Sequence, residues 1–85
     1  MNYELYSRVA INSDIENTIF KKGDIGTIVE IINNSVELIE TGYCLEMFDA
    51  LGNTIDVIVV SEQQLQALSE KNILHLREFE LVAEV

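Results

Sequence analysis

Lys21-Lys22-Gly23-Asp24-Ile25-Gly26-Thr27-Ile28-Val29-Glu30 joins a tight turn to a glycine-punctuated strand within ten residues, and its reading decides the fold. Gly23 beside Asp24 is turn chemistry, because glycine takes up backbone conformations that a Cβ forbids. Gly26 interrupts a run of β-branched residues. A glycine there marks a bulge or a close backbone approach, as the strands of a small, strongly curved β-barrel require.

Outward from this turn, the chain reads as a succession of short strands. Residues 6–11 predict a first strand, and Asn12-Ser13-Asp14 opens a long excursion over residues 12–24. Ile15, Ile19 and Phe20 make that excursion apolar enough to fold back over the core. Ile25 to Ile32 is the second strand. Asn33-Asn34-Ser35 breaks it, and residues 36–42 mix Val, Leu and Ile with Glu37 and Glu40, so no element is assigned there. Tyr43 to Asp49 and Thr54 to Val60 form the third and fourth strands, joined by a three-residue loop, Ala50-Leu51-Gly52, with Gly52 in the left-handed region. This register pairs Leu45 with Val57 and Met47 with Ile55 toward the core, and it sets Glu46 opposite Asp56 outside. Ser61-Glu62-Gln63-Gln64 is a capping-box pattern that starts a short helix carrying Leu65 and Leu68, with Lys71 near its end. Residues 73–85 are the expected last strand, irregular at Arg77-Glu78 where the apolar parity changes. The expectation is thus mainly β: a five-stranded barrel with one short helix before the last strand.

Eighty-five residues make a single domain, 1–85, and 48 % of them are hydrophobic, enough for a core and too many for a disordered chain. The longest apolar run falls far short of the roughly 18–20 residues of a membrane span. Met1-Asn2-Tyr3-Glu4-Leu5 lacks the basic and then apolar order of a signal peptide, so a cytoplasmic protein with no membrane partner is expected. Cys44 is the sole cysteine and His75 the sole histidine, which excludes an internal disulfide and a zinc site of the usual type. In a strand between Tyr43 and Leu45, Cys44 reads as a buried, inert thiol.

Five basic and fifteen acidic residues give a net charge of −10. Residues 1–29 carry −1 of it; residues 30–85 carry −9, with Lys71 and Arg77 against eleven acids. Such a surface repels phosphate backbones and favours encounter with a basic protein. The same charge also serves plain solubility.

Strand, long loop, three strands, helical turn and final strand is the order of a Src-homology-3-type small barrel. Arg8-Val9-Ala10-Ile11, Lys22-Gly23-Asp24-Ile25-Gly26-Thr27, Leu45-Glu46-Met47-Phe48 and Asp49-Ala50-Leu51-Gly52 together resemble a bacterial domain-of-unknown-function family of small proteins. That family pattern pairs a lysine-glycine-aspartate-x-glycine-threonine turn with an aspartate-x-x-glycine hairpin. The resemblance covers residues 5–60. It implies the barrel fold and no activity, and the chain departs from it at residues 33–42 and in its longer C-terminal part. The glycine turn also resembles the lysine-x-glycine-x-x-glycine loop with which ribosomal and transcription-factor barrels meet RNA, which would make Lys21 and Lys22 phosphate contacts. Two lysines on a chain of net charge −10, with no aromatic platform, argue against nucleic acid.

Enzyme motifs are absent from the sequence: no phosphate loop, dinucleotide fingerprint or nucleophile elbow. Glu46 and Asp56 on facing strands read as solvated outer-face residues, since a catalytic pair needs a cleft that drives its pKa values apart. Asp24, Asp49 and Asp56 lack calcium-loop spacing, so neither a metal nor a cofactor is expected. Gly23, Asp24, Gly26 and Gly52 are structural turn residues. Glu46, Asp56, Glu78, Glu80 and Glu84 are the candidate partner-binding residues of a non-enzymatic module, antitoxin- or immunity-like, that covers a basic protein surface. A homo-oligomeric structural barrel is the alternative.

Overall fold

The computed structural model describes residues 3–33 and 41–80. Five strands, β1 (Arg8–Ile11), β2 (Ile25–Ile32), β3 (Gly42–Phe48), β4 (Thr54–Ser61) and β5 (Leu65–Ala67), form one antiparallel sheet in the order β4-β3-β2-β1-β5. The chain is mainly β, as its composition of short β-branched runs predicts, with one 3₁₀ turn at Glu62–Gln64. The expected closed ladder differs. β5 is three residues long and pairs with β1, so no ladder joins it to β4 and the sheet is open.

Val9, Ile11, Phe20, Ile28, Tyr43, Leu45, Met47, Ile58, Val60 and Leu65 form the core, with Ile15 and Ile19 packed partly buried against it. Each fully buried aliphatic side chain contributes roughly 1.5–3 kcal/mol. The 12–24 excursion therefore folds back as its apolar residues predict. It is closed by Ile15 N–H donating to the Phe20 carbonyl at 3.0 Å and Lys22 N–H to Asp14 Oδ1 at 2.9 Å. Gly26 lies opposite Met47 in β2–β3 and is a point of close approach; the bulge falls instead at Val29, between Ile28 and Glu30. β1 starts two residues later than expected, because Tyr6 has φ 68° in a turn over Glu4–Ser7.

Three further expectations are corrected. Upstream of the hairpin, β4 is offset by one: Leu45 faces Ile58, Glu46 faces Val57 and Met47 faces Asp56. The register shifts between Met47 and Phe48 because Ile55 is extra, so Ile55 and Ile58 both turn inward. Val57 is 51 % exposed, whereas Ile58 is 8 % exposed. The predicted helix is only the 3₁₀ turn. Gln64 does reach back to accept the Ser61 N–H at 2.9 Å, but Leu65 then joins β1 opposite Ile11 and is buried. Ladder pairing plus core burial outweighs the helical preference of a short segment. The last strand is consequently not at 73–85: β5 fills the place beside β1, residues 73–80 lie outside any strand, and 81–85 lie outside the described residues. Residues 34–40, within the unassigned segment, are also outside them.

Candidate functional site

The β3–β4 hairpin is organised by Asp49. Its Oδ1 accepts the N–H groups of Leu51 and Asn53 at 2.9 and 2.8 Å, and its own N–H donates to the Asn53 carbonyl at 2.8 Å. These donors, Asn53 N–H foremost, hold the Asp49 carboxyl below the usual carboxylate range. Gly52 has φ +93°, the left-handed residue the three-residue loop needs. Asp49 was legible as a loop acid; its role as the hub is a property of the Asp-x-x-Gly-Asn pattern.

Glu46 is half-buried and accepts the Thr54 hydroxyl at 2.6 Å. Asp56 is exposed and accepts the N–H of Val57 at 2.8 Å. They are staggered rather than opposite, because the bulge at Ile55 shifts β4. Glu78 and Glu80 are exposed on the segment after β5, and Glu84 lies outside the described residues. The structure brings Glu78 to the hairpin: with Arg77 and Phe79 it lines a shallow concavity shared with Asp49, Ala50 and Leu51. Among the described residues, the ion pairs are Lys21 with Asp14, at 3.9 Å, and Arg77 with Asp24. Among the described residues, Glu46, Asp56, Glu78 and Glu80 thus have no cationic neighbour in ion-pair contact.

Gly23, at φ +96°, makes the turn that presents Asp24. Asp24 Oδ2 accepts the Lys21 N–H at 2.8 Å and also a guanidinium N–H of Arg77, whose Nε donates to Oδ1 at 2.8 Å. Nη2 of Arg77 donates to the Ile19 carbonyl at 2.8 Å as well. Hydrogen bonding to Asp24 pushes the Arg77 guanidinium further up, so it is charged throughout. Asp24 is therefore both turn residue and anchor for the C-terminal segment. No local signal foretells this, since the pair is 53 residues apart in sequence. Between that segment and the sheet lies a groove of about 770 Å³, lined by Ala10, Ile25, Phe48 and Leu74 among others, with Arg8 and Lys22 on its walls.

Cys44 is half-buried rather than buried. Its Sγ lies 3.9 Å from Glu30 Oε1, and burial, then the Glu30 charge, push the thiol pKa up. His75 is exposed. Among the described residues no group of three or more His, Cys, Asp or Glu side chains gathers as a metal site needs, and no helix is long and apolar enough to cross a membrane.

A family model described as a domain of unknown function (DUF4926) matches residues 5–67. No curated protein and no solved structure matches the chain. The match spans well over half of the sequence and ends on the last residue of β5, so the chain belongs to this family, with the Arg77 segment beyond the matched part.

Proposed function

We propose that this member of the DUF4926 family is a non-enzymatic, cytoplasmic protein-binding module that presents an acidic surface to a basic protein, in the manner of an antitoxin or immunity protein. The observation that carries this reading is the segregation of charge. Residues 30–85 hold −9, and the two ion pairs among the described residues both sit at the glycine turn and its excursion. Glu46 pairs across the strands with exposed Val57, Asp56 precedes Val57 in β4, and Glu78 lines a concavity with exposed Leu51. Carboxylates around apolar anchors are the composition of a specific interface, where charge steers encounter and the apolar centre sets affinity. A small Src-homology-3-like barrel is the fold we propose for it; β1 lying between β2 and β5, with a 3₁₀ turn leading into β5, supports that assignment.

The test is affinity capture from the native cell with the wild-type chain and with a variant carrying E46Q, D56Q, E78Q and E80Q. A basic protein retained by the first and lost by the second is expected. A partner held equally by both contradicts the proposal. Homo-oligomerisation is the second reading, favoured by β4, an apolar edge strand with Val57 and Val59 exposed. Sedimentation velocity separates the two: the first reading expects a monomer, the second a dimer that V59K dissociates.

A further inference from the structure

We infer that Asp24 and the Ile19 carbonyl form an arginine-receiving site, filled by Arg77 in the free chain, and that a basic protein partner docks by placing one arginine of an extended segment there. This rests on the reading of the chain as a module for a basic partner, and it names the group recognised.

The geometry selects guanidinium. Nε and Nη2 of Arg77 take the two oxygens of Asp24 side by side, and Nη2 adds the Ile19 carbonyl at 2.8 Å. A planar fork satisfies these acceptors together, whereas a lysine ammonium meets them only as a point charge. The receiving side is built before any ligand arrives. Asp24 Oδ2 is held by Lys21 N–H, the Asp24 carbonyl accepts Ile11 N–H at 3.0 Å, and the Ile19–Phe20 part of the excursion is pinned by Phe20 N–H donating to Thr18 Oγ1 at 3.0 Å. Preorganisation of this kind lowers the cost of binding.

The present occupant is replaceable. Every residue from 69 to 80 is exposed, Leu74 at 60 % and Leu76 at 82 %, and the segment belongs to no strand. Among the described residues, Arg77 alone hydrogen-bonds this segment to the rest of the chain; the bonds among Ser69, Lys71 and Asn72 are local. Asp24 and Ile19 lie within the family match at residues 5–67, and Arg77 lies outside it. The partner motif follows from the seated segment: one arginine after apolar residues, as in Leu74-His75-Leu76-Arg77. A polybasic run fits poorly, because Arg8 and Lys22 line the same groove.

The test uses the full-length chain and a fluorescent synthetic peptide of residues 72–80, Asn-Ile-Leu-His-Leu-Arg-Glu-Phe-Glu, beside a version with glutamine for arginine. R77Q empties the site while leaving Asp24 untouched. The arginine peptide is expected to bind R77Q about tenfold more tightly than wild type, and about tenfold more tightly than the glutamine peptide binds R77Q. Adding D24N to R77Q should abolish the difference between the two peptides. Should D24N disturb the turn, seen as a changed circular dichroism spectrum, the peptide pair on R77Q carries the test alone. Equal binding of both peptides to R77Q, or binding of neither, overturns the arginine site. A captured basic protein that is lost by the four-glutamine variant but binds D24N as wild type would overturn this site while leaving the acidic-surface reading intact.

Discussion

Gly26→Ala should destabilise the domain by steric conflict rather than by backbone strain. A Cβ built on Gly26 meets Met47 Sδ at 2.6 Å, the Glu46 carbonyl oxygen at 3.2 Å and Leu45 Cβ at 3.3 Å. Met47 and Leu45 are 1 % and 0 % exposed, so the Met47 side chain must repack away from its buried position to make room. The other two contacts are backbone or a Cβ, which move only with the strand. Overpacking of this sort costs about 1–3 kcal/mol. The loss of glycine's freedom in the unfolded chain offsets about 0.4–1 kcal/mol. The net cost is about 1–2 kcal/mol, a fall in Tm of about 5–15 °C for a domain of this size. Gly42→Ala is the control: its nearest neighbour is Ile32 Cβ at 3.6 Å, an ordinary contact, so only the entropic gain remains. Urea denaturation followed by circular dichroism should place the Gly26 variant below wild type and the Gly42 variant level with it or above, at unchanged m. A Gly26→Ala chain as stable as Gly42→Ala would refute the close approach of β2 to β3.

Gly23→Ala and Gly52→Ala meet no atom within 4 Å, so their cost, about 1–2 kcal/mol each, comes from φ of +96° and +93° alone; calorimetry should show Gly52→Asn recovering part of it. Ile58→Ala should cost about 2–4 kcal/mol and Val57→Ala less than about 1 kcal/mol, and the reverse order in denaturant midpoints would restore the register without the Ile55 bulge. Asp49 has a lowered folded pKa, so its contribution to stability is present above the unfolded carboxylate value of about 3.9 and is lost as pH falls through the lower folded value. Asp49→Asn should flatten that part of the acid limb, and an NMR titration placing Asp49 at or above the ordinary aspartate range would contradict the hairpin assignment.

Where one physical cue acted locally, the sequence was enough. β-branched residues between a glycine turn and two asparagines bound β2 at Ile25 and Ile32, and Ala50-Leu51-Gly52 specified its loop through the one residue able to take positive φ. β4 was less legible because Val57-Ile58-Val59-Val60 is apolar on both parities, so alternation carries no information and the bulge at Ile55 decides. β5 was misplaced for a related reason. Residues 73–81 alternate more convincingly than Leu65-Gln66-Ala67, but the ladder position beside β1 admits one strand, and the earlier segment reaches it with Leu65 buried. At the site, the acids were countable from sequence, while their neutralisation was not. That Asp24 holds Arg77 and that Glu78 comes to the hairpin depend on contacts between distant parts of the chain.

As a binding surface, the acidic face should set the rate at which a basic partner is met. The most direct measurement is the association rate of the captured native partner with the wild-type chain and with the variant carrying E46Q, D56Q, E78Q and E80Q, from about 0.05 to 0.5 M salt, across which the screening length shrinks severalfold. The wild-type rate should fall steeply with salt, and the variant rate should be slower at low salt and nearly flat. A wild-type rate indifferent to both salt and these substitutions would reduce the −10 charge to a solubility device and overturn the acidic face as a binding surface.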